Sequence, residues 1–263
     1  MKVVAFSIAD RQNLPYFEML KNSWQKFHPD IELKLYGEEE IKASGDPFFF
    51  YRATPLIGRE LLKEYDIVVK IDADSIVTGD LSHTWESSED YDVAVVQNSN
   101  PKEAKTYPVG VWDINPQIYV NCGYVVMKSK TFVEHWWALC SSYHFNNYQF
   151  KEQDFLNILV YYCGYRCRLL DSDGEGNKWH GLISKGYWNQ IELKYETKDI
   201  KGSLPGKKLI LPKNDEWPRG MDKEIDIIHW AGGNTPDKMN FRIHFKEDMI
   251  KHLDWLTSNE KKA

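Results

Sequence analysis

A short apolar strand that leads directly into two carboxylates is the feature that most restricts what this chain can fold into. Residues 67–71, with the sequence IVVKI, predict a buried strand, and Asp72 and Asp74 follow at once. Open α/β folds bind their ligands at the carboxyl ends of parallel strands. Two carboxylates at positions i and i+2 can hold one divalent cation there, and oxygen ligands suit Mg²⁺ or Mn²⁺. We therefore predict a metal site in this D-x-D segment; a simple turn is the alternative, because aspartate is common in turns.

Apolar strands alternate with amphipathic helices along most of the chain. The predicted strands are residues 2–8, 31–36, 67–71, 93–96, 124–127 and 225–230. The predicted helices are residues 14–27, 54–65, 131–143, 152–164 and 245–256. This alternation predicts an α/β fold with a mostly parallel central sheet and helices on both faces. Residues 171–222 are weakly periodic, and they predict loops and short strands that cover a substrate.

The amino-acid composition excludes one class of function and favours another. The chain of 263 residues carries 33 Lys and Arg against 39 Asp and Glu, a net charge of −6, without a dense basic run. A general nucleic-acid binder needs a basic face, so we exclude that class. The 10 tryptophans and 15 tyrosines suit recognition of sugars or bases. We see no transmembrane segment and no signal peptide, and the 4 cysteines predict reduced thiols in the cytoplasm.

Two further segments place polar groups where a ligand can be reached. Asn121 and Gly123 stand at the start of a predicted strand, and glycine there lets the backbone approach a ligand closely. Glu152, Gln153 and Asp154 open a predicted helix, near the positive end of its dipole. Helix capping is the alternative role for these carboxylates.

His229 ends the last predicted strand and is followed by Gly232 and Gly233. An imidazole beside glycines can ligate a metal or contact a phosphate. The alternative is a structural histidine held by hydrogen bonds.

Two other classes of protein also place aspartates in such a pattern. An EF-hand loop starting at Asp72 would need a glutamate at its twelfth position, where His83 stands, so this class is excluded. Phosphatases of the haloacid dehalogenase type use the first Asp of a D-x-D after a strand as nucleophile. Their motif lies near the start of the chain, whereas residues 1–71 precede it here.

Taken in order, these segments resemble the GT-A glycosyltransferases, most closely family 8, which includes glycogenin and bacterial lipopolysaccharide galactosyl- and glucosyltransferases. The resemblance covers roughly residues 3–240. It implies a Rossmann-like sheet and a smaller mixed acceptor-side region. It also implies metal-dependent transfer of a hexose from a nucleotide-diphosphate sugar to a saccharide or glycan acceptor, with Mn²⁺ or Mg²⁺ as cofactor. A D-x-D phosphatase and a non-catalytic carbohydrate-binding protein remain the alternatives.

The same resemblance implies roles for individual residues. The metal ligands it implies are Asp72, Asp74 and His229. The donor-binding residues it implies are Ser7, Asp10, Arg52, Asp72, Asn121, Gly123, Gly232 and Lys238. The catalytic candidates it implies are Glu152, Gln153 and Asp154.

Two positions depart from the family pattern. Thr235 stands where the family carries a lysine, and Lys238 is the nearest replacement. Glu152 stands where the family carries an aspartate. The carboxylate of Asp10 can accept the imide N–H of uracil, which favours a UDP-sugar as donor. We predict one domain over residues 1–263, with a nucleotide-sugar-binding half at 1–120 and an acceptor-side half with the C-terminal helix at 121–263.

Overall fold

A computed structural model describes residues 1–44, 49–97, 107–109, 112–114, 119–142, 145, 147–148, 150–170, 209–211, 223–229 and 247–259. These residues belong to two compact units. The first unit comprises Met1–Gln12, Ile31–Asp72 and Ser82–Leu170. The second comprises Asn13–Asp30, Ala73–Leu81 and Asp171–Ala263. The predicted halves at 1–120 and 121–263 stay a prediction.

Strands and helices alternate in the order that the sequence predicts. The strands are β1 (Val3–Ile8), β2 (Leu33–Tyr36), β3 (Ile67–Ile71), β4 (Ser75–Val77), β5 (Val93–Gln97), β6 (Tyr107–Val109), β7 (Trp112–Ile114), β8 (Val120–Met127), β9 (Cys167–Leu169), β10 (Leu209–Leu211), β11 (Lys223–Ile225) and β12 (Ile227–His229). The α-helices are α1 (Leu14–Phe27), α2 (Glu38–Ser44), α3 (Phe49–Leu61), α4 (Lys130–Cys140), α5 (Glu152–Tyr162) and α6 (Glu247–Thr257).

The first unit is built on a six-stranded sheet with the order β2-β1-β3-β8-β5-β9. Strand β1 runs parallel to β2 and to β3, and β5 runs parallel to β9. Strand β8 runs antiparallel to both of its neighbours, β3 and β5. The prediction of an α/β fold with a mostly parallel central sheet is therefore confirmed. Because β1 and β3 are parallel neighbours, both deliver the residues that follow them to the same edge of the sheet.

Helices α3, α4 and α5 cover one face of this sheet with a shared apolar core. Val4, Phe6 and Val68 on the strands belong to the same buried cluster as Ile57 of α3 and Trp136 of α4. Helix α3 packs closely on the side chain of Met127 of β8 at one glycine. A Cβ on Gly58 would lie 2.7 Å from the Met127 sulfur, so a larger residue there would require this packed side chain or the helix to shift.

The second unit holds β4 between a partner strand and a helix. Strand β4 pairs antiparallel with β12, and His229 lies opposite Ser75. Helix α1 packs against β4 and α6. The Ser23 hydroxyl on α1 accepts a hydrogen bond from the Val77 N–H at 3.0 Å, which satisfies a backbone donor of β4.

Polar side chains of α1 also cap α6. The Lys26 ammonium donates to the carbonyls of Trp255 and Ser258, and the Asn22 amide donates to the Thr257 carbonyl at 2.7 Å. The last carbonyls of a helix have no partners within the helix, so these contacts stabilise the end of α6. The observed α6 begins two residues later and ends one residue later than the predicted helix at 245–256.

Some predicted boundaries differ from the structure for identifiable reasons. Helix α3 begins at Phe49, five residues before the predicted start at residue 54, and it continues through Pro55, where a helix start rather than a helix interior is the usual place for proline. Strand β8 begins at Val120, four residues early, because its pairing with β5 resumes at Asn121 beyond a bulge. The predicted strand at 225–230 divides around Asp226 into β11 and β12. Most of the predicted loop region at 171–222 lies outside the described residues.

Candidate functional site

Asp72 directly follows β3, and a buried lysine holds its carboxylate. The Lys70 side chain is only 4% exposed, and its ammonium donates to Asp72 Oδ1 and to the Cys122 carbonyl, the latter at 2.7 Å. Burial lowers the pKa of Lys70, but the charge of Asp72, its hydrogen bond and the neighbouring acidic groups together raise that pKa above its ordinary value. Lys70 is therefore charged at neutral pH. Sequence reasoning assigned no role to Lys70, although a lysine within an apolar strand was a visible signal.

Asp74 and His229 meet in the second unit. The β4–β12 ladder places His229 opposite Ser75, and Asp74 Oδ1 lies 3.2 Å from His229 Nε2. Their side chains are 16% and 3% exposed. The pairing of β4 with β12 thus brings Asp74 close to His229, although they are 229 − 74 = 155 positions apart in the chain.

Two of the three predicted metal ligands, Asp74 and His229, approach each other within the second unit. The third, Asp72, stands two residues before Asp74 in the chain. Two carboxylates and an imidazole fit a divalent cation, because both ligand types bind such ions. The donor set is thus compatible with the cofactor that the resemblance implies.

Asn121 and Gly123 lie in a bulge of β8. The pairing with β5 passes from Val125 directly to Asn121, so residues 122–124 are skipped. A side chain and the residue that follows β3 form hydrogen bonds with the Gly123 backbone there. The Gly123 N–H donates to Asn121 Oδ1 at 2.6 Å, and the Gly123 carbonyl accepts the Asp72 N–H at 2.8 Å. Bulges of this kind re-aim side chains beside functional sites.

Helix α5 turns the polar side chains of its first turns toward the start of β8. Gln153 Oε1 accepts the Cys122 N–H at 3.1 Å. The Asn157 carboxamide accepts the Val120 N–H at 2.8 Å and donates to the Val120 carbonyl at 2.9 Å. Sequence reasoning missed Asn157, because the strand edge that it satisfies is thirty-seven residues away.

Asp154 has both carboxylate oxygens occupied by groups of the protein. Its side chain is buried; Oδ1 accepts the Tyr119 hydroxyl at 2.6 Å, and Oδ2 accepts the Phe150 N–H at 2.8 Å. Burial raises the pKa of Asp154 above its usual range. These contacts favour a positioning role for Asp154 over direct contact with a substrate.

Glu152 differs from its two neighbours. One oxygen, Oε1, accepts a weak hydrogen bond from the Cys122 thiol at 3.9 Å, and the indole N–H of Trp136 donates to the Glu152 carbonyl at 2.9 Å. The other oxygen, Oε2, is buried and has no hydrogen-bond partner among the described residues. Burial raises the pKa of Glu152 to about 8, so most of the carboxyl is protonated at pH 7.

The remaining donor candidates lie in two places in the first unit. Ser7 is the last residue but one of β1, and its fully buried hydroxyl has no hydrogen-bond partner among the described residues. Asp10 is half-buried two residues beyond the end of β1. Arg52 lies in α3, with its guanidinium 4.4 Å from the centre of the Phe145 ring. Gly232 and Lys238 lie outside the described residues.

Known structures share this architecture. The sequence matches no protein-family model and no curated protein. In three dimensions, the chain is similar to the galactosyltransferase LgtC in complex with donor and acceptor sugar analogs, at TM-score 0.58 and 15% identity over 97% of this chain and 94% of that chain. The chain has the GT-A glycosyltransferase fold. The fold expected from the motif order is thereby confirmed.

Two longer glycosyltransferases share this GT-A fold. WbbM, a bifunctional glycosyltransferase, aligns at TM-score 0.61 and 17% identity over 97% of this chain and 50% of that chain. GlyE of Streptococcus pneumoniae TIGR4 aligns at TM-score 0.57 and 17% identity over 99% of this chain and 60% of that chain. Among the described residues, the structure contains no helix with the length and apolarity that a membrane span requires.

Proposed function

We propose that this chain is a metal-dependent glycosyltransferase that transfers a hexose from a UDP-sugar to a saccharide or glycan acceptor. The observation that carries the proposal is the 3.2 Å approach of Asp74 to His229, with Asp74 two residues after Asp72 in the D-x-D segment of a chain with the GT-A fold. These three residues would hold Mn²⁺ or Mg²⁺. A divalent ion bound there supplies positive charge opposite the diphosphate that leaves with the nucleoside.

The edge of the sheet beyond β1 supports recognition of the nucleoside. Ser7 lies near the end of β1 and Asp10 follows it, and β1 runs parallel to β3, so they and Asp72 belong to the same sheet edge. Asp10 is placed on a half-buried stretch where its carboxylate can accept the imide N–H of uracil. The buried Ser7 hydroxyl has hydrogen-bonding capacity to offer a ligand. We propose that these groups select uridine over guanosine.

The start of α5 supports recognition of the sugar. A protonated Glu152 would donate a hydrogen bond to a sugar hydroxyl, because its carboxyl stays neutral up to about pH 8. Gln153 accepts the Cys122 N–H through its carbonyl oxygen, and its amide also donates to the Tyr119 hydroxyl. An amide carries two N–H groups, so the second would be offered to the sugar. Asp154, with both oxygens occupied, would hold this turn in place. We assign positioning of the sugar to Glu152 and Gln153.

A thermal-shift experiment tests the proposal directly. We expect uridine diphosphate with Mn²⁺ to raise the melting temperature more than either component alone, since a ligand at 100 times its Kd adds about 2.7 kcal/mol of stability. Guanosine and cytidine diphosphates with Mn²⁺ are the matched controls, and a preference for guanosine would overturn the uridine assignment. No response to any nucleoside diphosphate would contradict the proposal.

Two activity measurements separate the competing functions. We expect release of UDP from a UDP-hexose to depend on Mn²⁺ and to be increased by a saccharide acceptor. Hydrolysis of a simple phosphomonoester without these requirements would instead indicate a phosphatase. Sugar binding that is insensitive to a chelator and to uridine diphosphate would indicate a carbohydrate-binding protein.

His229→Ala decides whether the histidine is a ligand or a structural residue. We expect the variant to lose the Mn²⁺-dependent part of its nucleotide affinity and to retain the metal-free part. Normal Mn²⁺ binding with reduced stability would assign His229 a structural role.

A further inference from the structure

Lys70 is the one charged residue of β3, and the proposed function leaves it without a role. The other four residues of the strand are apolar, and all five are buried. Lysine is almost never fully buried unless its charge is paired. A 4% exposed ammonium in the sheet next to a candidate metal ligand therefore needs a physical explanation.

The contacts of Lys70 join two segments of the candidate site. Its ammonium donates to Asp72 Oδ1, at the end of β3, and to the Cys122 carbonyl, in the bulge of β8. The Asp72 N–H donates to the Gly123 carbonyl at 2.8 Å. Hydrogen bonds from Lys70 and from the Asp72 N–H thus hold the end of β3 to the bulge, at the neighbouring carbonyls of Cys122 and Gly123.

The bulge lacks the ladder to β5 that would otherwise hold it. The register between β5 and β8 skips residues 122–124, so the β8 backbone depends on other partners there. The Cys122 N–H reaches Gln153, and its carbonyl reaches Lys70. A buried carbonyl without a partner costs free energy comparable to a lost hydrogen bond, so loss of the ammonium would let this segment and Asp72 move.

We propose that Lys70 is a positioning residue that fixes one oxygen of Asp72 and the Asn121–Gly123 segment relative to each other, so that Asp72 presents its other oxygen to a divalent cation. The inference rests on the proposed function, because it takes Asp72 as a metal ligand. Partners that orient metal ligands in this way contribute about 10- to 100-fold to metal affinity.

Charge and positioning make opposite predictions for removal of the ammonium. Lys70 places a positive charge beside Asp72, so by charge alone its removal would strengthen the binding of a cation. If Lys70 positions Asp72, its removal weakens that binding. The sign of the change therefore distinguishes the two roles.

The test is the Mn²⁺ dissociation constant of the full chain without nucleotide, measured by electron paramagnetic resonance of free Mn²⁺. We compare Lys70→Met, which keeps the length of the side chain, with wild type. Lys128→Met is the matched control, because this half-buried lysine follows the other end of β8 and contacts the Tyr91 ring at 3.8 Å.

Circular dichroism and cooperative thermal unfolding establish that each variant folds. If Lys70→Met does not fold, Lys70→Gln, which keeps a donor without the charge, takes its place.

We expect the Mn²⁺ dissociation constant to rise about 10- to 100-fold in Lys70→Met and to stay within about twofold of wild type in Lys128→Met. A purely structural lysine would reduce stability and leave the affinity of the folded protein unchanged, and that result would overturn the inference. Tighter Mn²⁺ binding in Lys70→Met would also overturn it. Wild-type protein that binds no Mn²⁺ would overturn the proposed function and this inference together.

Discussion

The β8 bulge and strand β4 both position candidate site residues, and the fold holds these two segments in different ways. At the β8 bulge, side chains satisfy the backbone: Gln153 and Asn157 of α5 bond to the start of the strand, and Lys70 bonds to the bulge itself. At β4, the backbone ladder to β12 holds the strand, and Asp74 and His229 are brought together at one end of that ladder.

This difference determines whether a substitution changes both stability and ligand binding or ligand binding alone. In the bulge, the side chains that would face a ligand also hold the backbone, so substitution there affects both properties. In the ladder, the hydrogen bonds come from backbone groups alone, so the Asp74 and His229 side chains can change while the pairing stays. We therefore expect large stability effects at the bulge and large functional effects with small stability effects at β4.

The largest expected effect is the loss of activity in Asp74→Asn. Removing a carboxylate ligand withdraws several kcal/mol of metal-dependent stabilisation, so we expect a loss of about 10³-fold in kcat/KM for a UDP-hexose. The free energy of unfolding should change by less than about 1 kcal/mol. Asp80→Asn, whose exposed carboxylate follows the same strand, is the control. Unaltered metal dependence in Asp74→Asn would remove this residue from the site.

Asn157→Ala should be the most destabilising of these single substitutions. It removes two hydrogen bonds to Val120 and one to the Gln153 carbonyl, and it leaves buried backbone groups without partners. We expect a loss of about 2–4 kcal/mol in urea denaturation. Asn22→Ala, which removes a single hydrogen bond to the Thr257 carbonyl, should lose about 1 kcal/mol. Equal losses in the two variants would contradict a special dependence of the bulge on side chains.

Glu152→Gln should change how stability depends on pH. In the folded chain the pKa of Glu152 is about 8, against 4.5 for an ordinary glutamate. Between these values the folded state binds more protons than the unfolded state, so this group lowers the free energy of unfolding as pH rises. A neutral glutamine removes that dependence, so the variant should gain stability over wild type from about pH 5 to pH 9, by up to about 1 kcal/mol per pH unit.

Denaturation at a series of pH values measures this gain. Exposed Glu64→Gln is the control, and its stability relative to wild type should not depend on pH in this way. If Glu152→Gln and wild type show parallel pH profiles, the Glu152 carboxyl is ionised in the folded chain, and its proposed hydrogen bond to a sugar hydroxyl is wrong.

The elements that sequence predicted best are those determined by local signals. Helix α1 occupies residues 14–27 as predicted, because Pro15 favours its start and Pro29 prevents its continuation. Strand β3 and the carboxylates after it were also predicted, because a five-residue segment with four apolar residues, bounded by polar ones, has few other solutions. The order of the motifs then led to the GT-A fold, which the solved structures confirm.

The features that sequence did not reveal depend on distant partners. The early start of β8 requires Asn157, which lies thirty-seven residues after Val120. The role of Lys70 requires the carbonyl of Cys122, which lies fifty-two residues further along the chain. Asp154 looked like a catalytic carboxylate by motif, but its contact with Tyr119 could not be predicted from periodicity. Local patterns locate the site, whereas tertiary contacts decide which of its polar groups are available to a ligand.

The smallest expected effect is that of Ser23→Ala, which tests the β4 side of the comparison. Its hydroxyl accepts the Val77 N–H at 3.0 Å and donates to the Leu20 carbonyl at 2.9 Å. Loss of this contact should cost about 1 kcal/mol in urea denaturation, because the ladder to β12 still holds the strand. Ser129→Ala, which removes the cap of α4, is a matched control of similar expected cost. Since the ladder keeps Asp74 beside His229, the Mn²⁺ affinity of Ser23→Ala should stay within about twofold of wild type. A loss in stability as large as that of Asn157→Ala, or a tenfold loss in Mn²⁺ affinity, would show that β4 depends on side chains as the bulge does.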